Sequence, residues 1–148
     1  MAITFDGPVL VPVADPNDAE RTARAVAARL EPPVTAFVVH VIEKGGGAPD
    51  KAPLEARREY AAESFGRARG PLEAAGLTVE TEILYGTDVV ETILDAATDH
   101  GVDGVVFVPR TGGRLTKLLT GDVTRRLVET ASVPVVSLPR ADASEDED

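Results

Sequence analysis

The segment VVFVPRTGGRLTKLLTGDV, Val105–Val123, gathers the residue types that hold phosphate. A β-branched run leads into a loop with paired glycines, Gly112 and Gly113, and Gly121 stands just before a segment of helical spacing. Glycines let a backbone approach an anion closely, and the free N–H groups at a helix start attract negative charge. Arg110, Arg114 and Lys117 add a knot of positive charge. The residue after Gly121, however, is Asp122, an anion where a phosphate would prefer a hydroxyl. At the head of DVTRRLVET its carboxylate can instead cap the helix, accepting the backbone N–H of Val123, Thr124 or Arg125. The loop reads as a phosphate loop turned to structural use. The basic knot reads first as surface ion pairing with Asp15, Asp18 or Asp122, and second as a site for a smaller phosphate, a mononucleotide or an acidic partner segment.

The remaining reactive side chains give less. His40 falls in a strand-like run, as a core or edge residue, and His100 at a helix end, where it can complement the negative terminus. Two distant histidines without a carboxylate pattern give no metal site. Ser64, Ser132, Ser137 and Ser144 lack the G-x-S-x-G setting of a nucleophile elbow. Gly45–Gly47 lead into APDKAP rather than a helix, so they read as a hinge and not as a dinucleotide loop.

The elements that must position these groups alternate strictly. PVLVPVA (Pro8–Ala14) reads as a strand, and Asp18–Leu30 as a helix capped by Asn17 or Asp18. Val34–Ile42 is a second strand, and Glu43–Pro53 a flexible surface loop of glycine and proline. A long helix follows over about Leu54–Ala75, stopped by Gly76. LTVETEILY is a third strand, and TDVVETILDAATDHG a helix capped by Thr87 or Asp88 and ended by Gly101. VDGVVFVP, the helix Asp122–Ala131 and the strand VPVVSLP complete a β-α-β-α-β-α-β-α-β order. Such alternation implies parallel strands joined by right-handed helical crossovers, hence an open α/β sheet covered on both faces. Ligands in such sheets lie beyond the carboxyl ends of strands at a topological switch point. The loops ADPND and RTGGRLTKLLTG are the candidates.

Composition narrows the setting. A chain of 148 residues suits one domain, here 1–140, followed by an acidic disordered tail over 141–148. The absence of cysteine excludes disulfides and thiolate metal sites, and fits a reducing cytoplasm. The N-terminus has neither a basic n-region nor a long apolar run, so no secretory signal or membrane span is expected. The formal net charge is −10, and five of the acids sit in the tail ADASEDED, leaving about −5 elsewhere. That balance argues against a nucleic-acid partner, which requires a basic stripe. Lys44, Lys51 and Lys117 are the only lysines. An acidic, lysine-poor surface suits a cytosol of high salt, where the Debye length falls to roughly 3 Å at 1 M.

From about Pro8 to Pro139 the sequence resembles the universal stress protein family. VLVPVA is similar to that family's opening strand, TILDAATDHGVDGVVFVPR to its third helix and fourth strand, and LTKLLTGDVTRRLVETASVPVVSLP to its closing loop, helix and strand. The resemblance implies an open five-stranded parallel sheet of order 3-2-1-4-5 with helices on both faces, of the adenine nucleotide alpha hydrolase-like kind. It also implies a homodimer formed through the fifth strand. Nucleotide-binding members place ATP across the ends of strands one and four with the pattern G-x-x-G-x9-G-[S/T]. Here only Gly121 matches: the first two glycine positions fall on Val108 and Thr111, and the hydroxyl position on Asp122. The acid used near the nucleoside aligns with Ala14, beside Asp15.

The reading is therefore a dimeric, non-catalytic binding or regulatory module linked to stress, with a degenerate nucleotide site. Its candidate positions are Ala14, Asp15, Val108, Arg110, Thr111, Gly112, Gly113, Arg114, Gly121, Asp122, Val123 and Thr124. One rival restores ATP or AMP through a shifted loop using Gly112, Gly113, Gly121, Arg114 and Thr124. The other is slow nucleotide hydrolysis, for which Asp15 is the sole base near the site and no metal-held phosphate can be indicated. A receiver domain shares the alternation but needs an aspartate ending strand three, and that strand ends ILYG.

Overall fold

A computed structural model describes residues 2–43, 54–109 and 121–139. The expected surface loop beyond Glu43, the loop from Arg110 to Thr120 and the acidic tail lie outside the described residues. Nine elements follow in the order expected: β1 (Val9–Pro12), α1 (Pro16–Arg29), β2 (Thr35–Glu43), α2 (Leu54–Ala74), β3 (Thr78–Gly86), α3 (Val89–His100), β4 (Gly104–Phe107), α4 (Gly121–Thr130) and β5 (Val135–Ser137). All strand pairs are parallel and the sheet order is β3-β2-β1-β4-β5. Val9 of β1 lies opposite Ala36 of β2 on one side and Gly104 of β4 on the other. The chain reverses direction across the sheet between β1 and β4, so the switch point lies between their carboxyl ends.

Two cores lie on opposite faces of this sheet, because successive residues of a strand point to opposite sides. Val9, Val11 and Val13 pack with Ala23 and Val26 of α1 and with Ala68 and Leu72 of α2. Leu10, Val105 and Phe107 pack with Val90 and Ile93 of α3 and with Leu127 of α4. β1 and β4 are buried on both faces, which is why their sequences read as unbroken apolar runs. β3, at one edge, is largely exposed instead: Val79 and Leu84 are buried on opposite faces, and Glu80 and Glu82 are exposed. Charges along an open edge discourage pairing with foreign strands.

Helix starts differ in detail from the sequence expectation. α1 begins at Pro16, and its cap is Asp15 rather than Asn17 or Asp18. Proline suits a first helical position, since its fixed φ is helical and its missing N–H would have no partner there. α3 is capped by Asp88, which accepts the Glu91 N–H at 3.0 Å, and it ends at Gly101 in the left-handed region with φ 62°. Gly86, just before α3, leaves the space that the Thr92 hydroxyl occupies. His100 does not simply face its helix end: its ring stacks on Phe37 at 4.3 Å, and its Nε2 lies 2.6 Å from a Glu82 carboxylate oxygen.

Asp88 also joins the two helices of its face, accepting Arg126 of α4 at 3.1 Å. The Glu91 N–H, followed by the Arg126 guanidinium, holds its carboxyl below the usual carboxylate range. A depressed folded value stabilises the protein fully above the unfolded value, and that contribution is lost as pH falls through the folded one. Asp88→Ala is expected to cost about 1 kcal/mol in denaturant unfolding at neutral pH, mostly from the lost cap. The difference from the parent should vanish in strongly acidic buffer. An undiminished difference there would show that the carboxylate charge is not the cause.

Candidate functional site

At the end of β1 the chain turns into α1 through two carboxylates with separate duties. Asp15 accepts the Asp18 N–H at 2.7 Å, and its own carbonyl accepts the Ala19 N–H at 2.7 Å, which closes the first turn. Asp18 is buried, 2 % exposed, and reaches back to accept the Ala14 N–H at 2.7 Å. Its other oxygen lies 3.4 Å from the Thr22 hydroxyl. The pair resembles a capping box, in which the third helical residue reaches back toward the chain entering the helix. Sequence reading offered Asp18 as a cap or a surface ion-pair partner; the D-x-x-D spacing after a strand was the signal for its reach back to Ala14.

Asp18→Ala would strand the buried Ala14 N–H. An orphaned buried donor costs about 1–3 kcal/mol, so a loss of that size is expected in denaturant unfolding. Asp18→Asn, which keeps an acceptor oxygen, should recover part of it. Equal losses in the two variants would mean that charge, and not acceptance of this N–H, is what the position supplies.

His40 of β2 braces the same turn. Its Nδ1 lies 3.0 Å from the Val13 carbonyl, so Nδ1 carries the donated proton and the neutral ring leaves Nε2 unprotonated. Burial lowers its pKa, outweighing the Val13 carbonyl and the negative charge of Asp15. Of the two expectations, core or edge, the structure gives the core: His40 is buried and β2 lies inside the sheet. Its backbone-bracing role had no sequence signal, because its partner is 27 residues away. The edge of the Tyr60 ring of α2 stands 6.4 Å from it, centroid to centroid.

The β4 side closes the switch point. Val108, at the first glycine position of the nucleotide pattern, is a core residue, 4 % exposed, on the α1–α2 face of the sheet. Its side chain occupies volume that a glycine would leave free. Gly121 opens α4, so Asp122 is the second helical residue and not the cap expected from sequence. The helix simply starts one residue early. The Asp122 side chain is 86 % exposed and accepts Arg125 at 3.1 Å. It remains an anion in the first turn, where the helix dipole favours negative charge.

Val123 is buried in the α3–α4 core. Among the described residues, the buried Thr124 hydroxyl has no hydrogen-bond partner. Parallel pairing thus brings Ala14, Asp15 and Val108 to one end of the sheet, where α4 also starts. Arg110, Thr111, Gly112, Gly113, Arg114 and Lys117 lie outside the described residues. Among the described residues no group of three or more histidines and carboxylates could hold a metal ion. No described helix is long and apolar enough to cross a membrane.

Comparison with known proteins follows the same outline. No curated protein matches the sequence. Among solved structures, the universal stress protein of Archaeoglobus fulgidus superposes with a TM-score of 0.67 at 24 % identity, covering 90 % of this chain and 99 % of that one. The structure of the Archaeoglobus fulgidus protein in complex with dAMP gives 0.66 at 24 % identity, covering 89 % and 97 %. A family protein from Arabidopsis thaliana with AMP bound gives 0.53 at 17 % identity, covering 95 % and 98 %. At these identities the likeness establishes the fold. The sequence itself matches the universal stress protein family over residues 7–139, nearly the whole chain, and the protein belongs to that family.

Proposed function

We propose that this chain is a non-catalytic binding or regulatory module whose nucleotide site has been given over to structure. The observation that carries this reading is the Asp122 carboxylate in the first turn of α4, where nucleotide-binding relatives offer a hydroxyl. Two unit charges about 4 Å apart repel by roughly 1 kcal/mol in water and about 4 kcal/mol at an effective dielectric of 20. A triphosphate set beside this side chain meets a penalty within that range. Burial of Val108 points the same way, since the close backbone approach of a glycine is replaced by core packing. Calorimetric titration with ATP and AMP in molar salt, together with mass spectrometry of the purified protein for retained nucleotide, tests the reading. Neither retained ATP nor tight ATP binding is expected, and either would overturn it.

A second reading, binding of AMP through a shifted loop, is favoured by Thr124. Its buried hydroxyl, two residues after Asp122, lacks a partner among the described residues. Leaving such a group unmade costs about 1–3 kcal/mol, which a ligand oxygen could relieve. AMP binding abolished by Thr124→Val would support this alternative over the first.

Assembly through β5 belongs to the same proposal. β5 is the outer strand beyond β4; Val135 and Val136 are half-buried, and Val128 of the neighbouring α4 is 59 % exposed. An apolar outer strand requires a partner or a cover, and a second copy supplies one. The module is placed in a salt-rich cytoplasm on its charge and composition. Sedimentation equilibrium should give a dimer; a monomer at high protein concentration would remove this part.

A further inference from the structure

The cleft between α1 and α2 holds positive charge that the fold itself does not use. Arg21 has no hydrogen bond or ion pair among the described residues, whereas each described arginine of α2 and α4 has a polar partner. It lies in the second turn of α1, which runs from Pro16 to Arg29. Arg29, in the last turn, faces the opposite end, where a cation is welcome.

Two more guanidiniums converge on the same place. Arg67 of α2 reaches across to Glu20 at 2.9 Å and to Asn17 at 2.9 Å, and Arg24 pairs with the other oxygen of Glu20 at 2.9 Å. Hydrogen bonding from Arg67, with smaller contributions from both arginine charges and the Arg24 hydrogen bond, keeps the Glu20 carboxyl below its ordinary range. Glu20 is thus ionised and already shared. Among Asn17, Glu20, Arg21, Arg24 and Arg67 themselves, three guanidiniums against one carboxylate leave a surplus of two positive charges, with Asp15 and Glu63 lying next beyond them.

The geometry suits a small ligand. Asn17, Glu20, Arg21, Arg24 and Arg67 line a cavity of about 150 Å³. That is well below the roughly 300 Å³ at which pockets begin to enclose drug-sized molecules. One tetrahedral oxyanion group matches it in size, and its double negative charge matches the surplus. Guanidinium forks are the side chains best shaped for such an ion. The cavity adjoins a second of about 450 Å³ that shares Asn17, Arg21 and Arg67 and extends to Tyr60, with Asp15 and Glu63 at its far side. The exposed Tyr60 ring there offers a flat surface to whatever an esterified phosphate carries.

We infer that the α1–α2 cleft centred on Arg21 binds a compact dianion of the phosphate class, free or as the end group of a small monoester. This site is separate from the start of α4 and does not rest on the reading of Asp122. Amide chemical-shift titration of the full-length protein at low ionic strength tests it, with inorganic phosphate and ribose 5-phosphate as probes and chloride as the control. Saturable shifts are expected at the amides of 17–24 and around Arg67, with affinity at least tenfold weaker in Arg21→Gln. That variant should unfold at the parent's denaturant midpoint, because Arg21 has no partner among the described residues to lose. Tighter binding of ribose 5-phosphate would identify a monoester as the source, and equal or weaker binding the free anion. Asp122→Ser should leave this titration unchanged. Shifts that never saturate, shifts centred on α4, or the same affinity in Arg21→Gln would overturn the inference.

Discussion

Asp122→Ser is expected to raise ATP affinity on the order of tenfold to a hundredfold, with a much smaller change for AMP. The estimate follows from charge alone: a repulsion of about 1–4 kcal/mol is removed, and every 1.4 kcal/mol is a factor of ten. AMP bears less charge and need not extend to the helix start. The change should cost little in folding. Asp122 is exposed, so its dipole interaction amounts to roughly 0.3–1 kcal/mol, and its bond to Arg125 adds a few tenths. The gain should shrink in molar salt, where exposed charges are screened beyond a few ångströms.

Asp122→Asn separates the two contributions of serine. Equal gains in the asparagine and serine variants would mean that the lost charge decides; a gain confined to serine would credit the hydroxyl. Adding Val108→Gly to restore the glycine pattern is a poorer test. Val108 is buried in the core, and stripping its side chain would cost a few kcal/mol of stability along with any gain in access. Calorimetry of the single variants is therefore the clean measurement. No gain in either would show that the backbone of this loop, and not its charge, excludes the nucleotide.

The alternation of strands and helices was legible because each buried strand of a parallel sheet must be apolar on both faces, as VLVP and GVVF are. The sheet order was not legible from periodicity, which places residues on faces but says nothing of which strand lies beside which. It came from the family resemblance, and the β3-β2-β1-β4-β5 order agrees with it. Helix starts were legible to within a residue or two, and the errors had one cause. Hydrophobic spacing marks where a helix begins to pack, while Asp15 and Pro16 mark where its backbone begins to turn.

The site was legible by residue type and much less by partner. The departures of Val108 and Asp122 from the nucleotide pattern could be counted on the sequence. That Val108 fills core volume, that Asp18 holds the Ala14 N–H and that His40 holds the Val13 carbonyl depend on contacts that no local spacing encodes. Arg21 was overlooked for a related reason. An arginine on a helix in an acidic chain looks paired until Glu20, in the same cavity lining, is found to be shared by Arg24 and Arg67.

Phe107→Ala is expected to destabilise the protein by about 3–5 kcal/mol, the largest loss among the substitutions considered. The ring is completely buried, and it is the bulkiest of the fully buried side chains described. Truncation removes its transfer free energy and leaves a cavity walled by close-packed neighbours that can relax only in part. Measured against a total stability of roughly 5–15 kcal/mol, the loss approaches the whole in the lower half of that range. Denaturant unfolding should show a fall in midpoint with an unchanged slope, since the surface exposed on unfolding hardly differs.

The damage should also reach the switch point. Phe107 shares its core with Val123 and Leu127, the residues that seat α4 on the sheet, and its carbonyl accepts the Leu138 N–H of the segment after β5. Amide exchange at the start of α4 should therefore quicken more than exchange in α1, which packs on the opposite face. Leu127→Ala should hollow the same cluster, so the double variant should lose measurably less or more than the sum of the two single losses. Additive losses with uniform exchange would mean that the two faces of the sheet respond as one body, and that α4 is not held by this core in the way proposed.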